Sequence, residues 1–181
     1  MIDYTLALIL PDSVQNQLAQ QLCYGIPQAT WIERESLHAT LRQLGPLSSS
    51  ELFEVKVAFR EMHFFPFLIQ LERLKYLPHT RKHGSLLLEI GLTEQLLQMK
   101  KECDHVLRKL KLPLATLPPH LLLGHCVAEE AGPYIVQHAL FKCSEIKIEG
   151  CSLFSIHSSQ KKIFYNEIEH YPASAPVIET D

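Results

Sequence analysis

The sequence lacks the signatures of several common functional classes. No two of its five cysteines (Cys23, Cys103, Cys126, Cys143, Cys151) form a CxxC pair, and the count is odd. That argues for reduced, mostly buried thiols rather than a disulfide framework. No run of about 18 apolar residues occurs, so no transmembrane helix is expected. The opening MIDYTLALIL has no basic stretch ahead of its apolar residues and reads as a strand, not a signal peptide. A cytoplasmic protein without membrane contact is the expectation. A glycine-rich phosphate loop is missing, and so is any low-complexity linker. One domain over 1–172 with a C-terminal tail over 173–181 is therefore expected, and with no dimerisation stripe a monomer is the default. The net charge of −3 and pI of about 6.4 lack the basic excess of a protein that grips long nucleic acid. A short or terminal phosphate needs only a local positive site and stays open.

What is present is an alternation of short strands and helices. Tyr4 to Leu10 is an apolar strand ended by Pro11, and Asp12 can cap a helix over Ser13 to Cys23. Leu37 to Leu44 alternates as a strand, with Leu37, Ala39 and Leu41 on one side and His38, Thr40 and Arg42 on the other. Ser48 with Glu51 has capping-box spacing, and Thr93 opens the longest helix, to about Leu110. Phe67 to Leu74 and Ser85 to Ile90 are strands around a loop, Leu77 to Gly84. Leu121 to Val127 is a strand, and Pro133 is placed at the start of a short helix, Tyr134 to Phe141. Three strands follow, and Ser158 to Lys161 turns the last two into a hairpin. Strand, helix and His-bearing strand occur in that order twice. The mixture predicts an α+β fold with antiparallel sheets rather than a doubly wound one.

Two histidines stand out. In a strand, positions i and i+2 share a face, so His38 and Thr40 project together while Leu37, Ala39 and Leu41 enter the core. Imidazole and hydroxyl on an otherwise apolar strand need partners or water, and a cleft supplies water. The ring can move a proton near neutral pH, and the hydroxyl can donate to a phosphate oxygen. Pro119-His120 again starts an apolar strand, 82 residues after His38, but its i+2 position is Leu122. Each segment by itself also fits a strand with a solvated polar face.

Taken in order, Trp31-Ile32-Glu33-Arg34-Glu35-Ser36-Leu37-His38-Ala39-Thr40-Leu41, the Gly84 to Gly91 strand, Pro119-His120, Leu153 to Ser158, Tyr165 and Tyr171-Pro172 resemble the LigT-like RNA 2′,3′-cyclic phosphodiesterases of the two-histidine phosphoesterase superfamily. The likeness spans about residues 2 to 172. It implies two pseudo-symmetric lobes, each an antiparallel sheet with helices on its outer face, and a cleft between them. It implies an RNA or nucleotide partner with a cyclic phosphate end, no cofactor and no metal. His38 would be general acid, His120 general base, and Thr40 a phosphate ligand, together giving a 2′-phosphate. Two positions depart from the pattern: Leu122 replaces a Ser or Thr, and His125 stands where an arginine commonly follows. One lost phosphate donor costs about 10²–10³ in rate. A module that binds without efficient catalysis is thus the alternative.

Arg42 and a protonated His125 are candidate replacements as phosphate ligands. On an unbroken strand His125 would face away from His120. Arg81, in the basic loop with His79, Lys82 and His83, could touch a nucleic-acid backbone, or the loop could be a solvated surface. Tyr165 could meet substrate or pack in the sheet, and Trp31 reads as a core anchor beneath the first motif.

Overall fold

The computed structural model describes residues 2–114, 117–159 and 162–175. Its strands are β1 (Asp3–Leu8), β2 (Thr30–Trp31), β3 (Ala39–Pro46), β4 (Phe67–Ile69), β5 (Leu71–Pro78), β6 (His83–Ile90), β7 (His120–Val127), β8 (Ile146–Ile148), β9 (Gly150–Ser159) and β10 (Lys162–Pro172). The helices are α1 (Asp12–Gln21), α2 (Ser49–Arg60), α3 (Glu94–Lys109) and α4 (Ala128–Gln137). No helix among the described residues is long and apolar enough to cross a membrane.

One antiparallel sheet runs β10-β9-β1-β3-β7-β6-β5, with β2 beside β7; β4 and β8 form a separate pair. The large sheet is two halves. β1–α1–β3 builds one and β6–α3–β7 the other, so the repeated strand–helix–strand pattern of the sequence is a repeat in space. The halves join along β7, which pairs with β3 at Ala39↔Leu121 and Thr40↔His120 and with β2 at Thr30↔His125 and Trp31↔Gly124. The α+β fold class is therefore as expected.

The helices follow their end signals with two exceptions. Ser48 and Glu51 form the capping box of α2, and Thr93 Oγ1 accepts from the Leu96 amide at 3.3 Å at the start of α3. Leu96, Met99, Cys103 and Leu107 then fall on one buried stripe. At α1 the chain enters through Pro11, and no side chain caps the helix, so Asp12 is its first residue and not its cap. At α4 the expectation fails: Pro133 lies inside the helix instead of at its start. Proline costs most where it removes an interior hydrogen bond. Here Glu129 and Glu130 favour the early N-terminus, while Ala131 and Tyr134 anchor the helix in the core.

The strand predicted over Phe67 to Leu74 is divided between two sheets. The loop expected over Leu77 to Gly84 is a tight turn, in which the His79 and Thr80 amides each donate to the His83 carbonyl at 3.0 Å. Ala173 and Ser174 donate backbone hydrogen bonds to Glu149 and Phe64; positions 176–181 of the expected tail lie outside the described residues. So do Gln160 and Lys161 of the expected final turn. Trp31 packs against Tyr134 of α4 and over Gly124 of β7, beneath the second histidine strand and not the first. A side chain at Gly124 would meet the Thr30 carbonyl at 2.7 Å, which is why β2 can lie there.

Candidate active site

His38 and His120 are brought to the junction of the halves. Thr40 pairs directly with His120 across β3 and β7, and the pairing ends at Ala39↔Leu121, next to His38. His120 thus faces the i+2 position of the His38 segment, a hydroxyl, whereas the i+2 position of its own segment is the apolar Leu122.

The two rings are held alike. His38 Nδ1 lies 2.7 Å from the Ser36 carbonyl, and His120 Nδ1 lies 2.9 Å from the Pro118 carbonyl. A carbonyl only accepts, so each Nδ1 carries the proton and each neutral ring presents the lone pair of Nε2. Neither Nε2 has a protein partner among the described residues. Both residues are nearly buried, His38 7% and His120 6% exposed. Phe154 stacks on the His38 ring at 5.1 Å and Tyr165 meets it edge-on at 4.5 Å. Burial pulls the His38 pKa from 6.5 down to about 4, the Ser36 hydrogen bond opposes this, and the nearby His120 lowers it further. Burial also lowers His120, against the Pro118 hydrogen bond. Both rings are therefore neutral at pH 7. An anion between them would reverse this, because opposite charge favours the protonated ring.

Beta-bulges redistribute the other predicted residues. On β3, Leu6 pairs with Arg42 but Ala7 with Thr40, so Leu41 is an extra residue. The alternation breaks there, and Arg42 does not share Thr40's face. It is 2% exposed and bound to Asp104 of α3, Nε to Oδ1 at 2.5 Å and Nη2 to Oδ2 at 2.8 Å. Arg42 as a phosphate ligand is thus corrected: its guanidinium is a buried partner of the helix layer. On β7 the extra residue is Leu123, because Leu86 pairs with Gly124 and Leu87 with Leu122. Leu121, Leu123 and Cys126 go to the core, and His125 is turned to the side of His120 and Leu122. The expectation that His125 faces away from His120 is corrected by that bulge. Its Nδ1 lies 3.0 Å from Ser85 Oγ, which lies 2.5 Å from His79 Nε2, and burial followed by the His79 charge lowers its pKa.

Of the remaining candidates, Tyr165 is a wall of the His38 site, with its hydroxyl pKa raised to about 12 by burial. Arg81 lines a separate hollow with Gln28, Lys82 and His83, not the cavity at His120. That cavity, about 380 Å³, holds residues the sequence reading missed. Glu89 is the cross-strand partner of His120, and Arg73 and Lys75 of β5 both bond to it, Lys75 at 3.0 Å. The run of charge at Glu72, Arg73 and Lys75 was the available signal, but the sequence does not show that β5 lies two strands from His120. Among the described residues no group of three or more metal-ligating side chains converges.

No protein-family model and no curated protein sequence matches the chain. Its structure is nevertheless similar to solved ones along nearly its full length. Escherichia coli LigT, complexed with 3′-AMP, aligns with a TM-score of 0.71 at 14% identity, over 96% of this chain and 98% of LigT. A protein described as a phosphoesterase aligns with a TM-score of 0.72 at 14% identity, over 97% of this chain and 100% of the other. TT0787 of Thermus thermophilus aligns with a TM-score of 0.73 at 18% identity, over 94% and 97%. The fold is the one seen in LigT, that phosphoesterase and TT0787, as the resemblance implied.

Proposed function

We propose that this protein hydrolyses a 2′,3′-cyclic phosphodiester at the end of an RNA or on a nucleotide, by acid–base catalysis between His38 and His120. The observation that carries the reading is the matched pair of imidazoles, each with Nδ1 tied to a backbone carbonyl and Nε2 left free. In-line attack needs a base and an acid on opposite sides of phosphorus, and two such rings suit that requirement. His120 takes the proton of the attacking water at Nε2. His38, protonated at Nε2, delivers its proton to the departing ribose O3′ and leaves a 2′-phosphate. Thr40 donates its hydroxyl to a non-bridging oxygen. The substrate's own charge loads the acid: an opposite charge a few ångströms away raises a pKa by about 1–3 units, which returns His38 from about 4 toward neutrality. That the similar LigT was crystallised with 3′-AMP supports a nucleotide as the ligand.

A second reading, nucleotide or RNA-end binding with little turnover, is favoured by Leu122. The position two residues past His120 offers no donor, and neither His125 nor Arg42 supplies a free permanent cation. The test is conversion of adenosine 2′,3′-cyclic phosphate in EDTA, followed by phosphorus NMR. Hydrolysis to the 2′-monophosphate, lost in both His38→Ala and His120→Ala, supports the enzyme. Saturable binding with the cyclic phosphate returned intact supports the binding module instead.

A further inference from the structure

The histidine segments leave a bound phosphate short of positive charge. Arg42 is taken by Asp104, His125 is turned onto Ser85, and Leu122 is apolar. The neighbouring strands carry what these segments do not. Glu89 is paired with His120 across β6 and β7, so its carboxylate stands on the same face as the imidazole. Arg73 and Lys75 reach that carboxylate from β5. All four side chains line one cavity, whose walls include Leu77, Leu87 and Leu117.

The chemistry of this trio fits an anion. Arg73 uses Nε on Glu89 and keeps the N–H groups of its two terminal nitrogens; Lys75 spends one of three donors. Arg73 and Lys75 are 78% and 57% exposed at the side chain, so their spare donors can turn to a ligand without a burial penalty. Glu89 is only 21% exposed and is held ionised by hydrogen bonds from Arg73 and Lys75. It keeps two like charges side by side and leaves the trio with a net charge of one, which Glu72, on the wall of the same cavity beside Arg73, offsets, so a second negative charge on the ligand is disfavoured further. A cyclic phosphodiester carries one negative charge. A phosphomonoester carries close to two at pH 7.

We propose that Arg73 and Lys75, arrayed on Glu89, receive the ligand's phosphate on the His120 side of the cleft and favour a singly charged phosphodiester over a doubly charged monoester. The inference rests on the reading of His38 and His120 as a phosphate-facing pair. Glu89 is a positioning residue: it brings the cations together and repels the second charge of the product, which aids release.

The test measures affinity for adenosine 2′,3′-cyclic phosphate (as Kd, or as KM where turnover occurs) and for adenosine 2′-monophosphate. The proteins are the natural one, the double variant Arg73→Gln/Lys75→Gln, and Glu89→Gln. The double variant is expected to bind the cyclic diester about tenfold more weakly, the loss of a charge-assisted contact, with thermal stability unchanged. Glu89→Gln is expected to bind the monoester about tenfold more tightly and the diester about as before, a change of selectivity that a merely structural role would not produce. Unchanged diester affinity in the double variant, alongside clear binding by the natural protein, overturns this inference and leaves the histidine pair standing. If the natural protein binds neither ligand, the histidine reading falls and this inference with it.

Discussion

Lowering the pH from 7 toward 4 asks a buried functional group of this protein, His38, to accept a proton. The His38 pKa is about 4 in the folded chain, against an ordinary 6.5, and burial between Phe154 and Tyr165 is the main cause. Between those two values the unfolded chain binds a proton that the folded chain refuses, so stability falls as pH falls through that window. Below the folded value both states are protonated, and His38 takes away nothing more. A shift of that size corresponds to about 3 kcal/mol. His120 and His125 are also lowered by burial and act with the same sign. Urea unfolding at several pH values between about 7 and 4 measures the loss as a fall in midpoint at constant slope. The ionised carboxylates Glu35, Glu51, Glu89 and Glu169 are held below their ordinary values and add acid sensitivity near the lower end. The His38→Gln variant separates the contributions, because it keeps them and removes the imidazole. The stability difference between natural protein and His38→Gln should shift by about 3 kcal/mol toward the variant across the window. A difference that stays flat with pH refutes the burial argument.

Two further outcomes follow from the same geometry. Leu122→Thr places a hydroxyl two residues past His120, as Thr40 stands to His38, adds a donor that is worth up to about 10² in rate, and should raise kcat on a cyclic nucleotide by at least several-fold; an unchanged kcat contradicts a phosphate held at that position. Asp104→Ala strands the Arg42 guanidinium, 1% exposed at its side chain, and should cost about 3–5 kcal/mol in urea unfolding, whereas a phosphate ligand for Arg42 would make the cost small.

The His38 segment was legible because one feature carried it: a polar pair at i and i+2 in an apolar strand. The place of His120 was legible from order and spacing, and its missing hydroxyl from Leu122. The capping signals at Ser48 and Thr93 were local and therefore readable. Arg42 and His125 were misread for one physical reason. A strand's face assignment propagates only while its register does, and single extra residues at Leu41 and Leu123 reverse it. A bulge is decided by the partner strand, which the local sequence does not contain. Glu89, Arg73 and Lys75 were missed for the same cause, since their approach to His120 exists only through pairing across three strands. Pro133 was over-read: propensity places it at a helix start, but the burial of Ala131 and Tyr134 outweighs that preference.

His38 and His120 are proposed to share one phosphate. Nitrogen NMR of the histidine rings, titrated over pH with and without inorganic phosphate, tests it directly. Phosphate is expected to raise the pKa of both rings together, with each proton appearing at Nε2 while Nδ1 stays protonated. A rise at one ring alone, or at neither when phosphate is saturating, would contradict it.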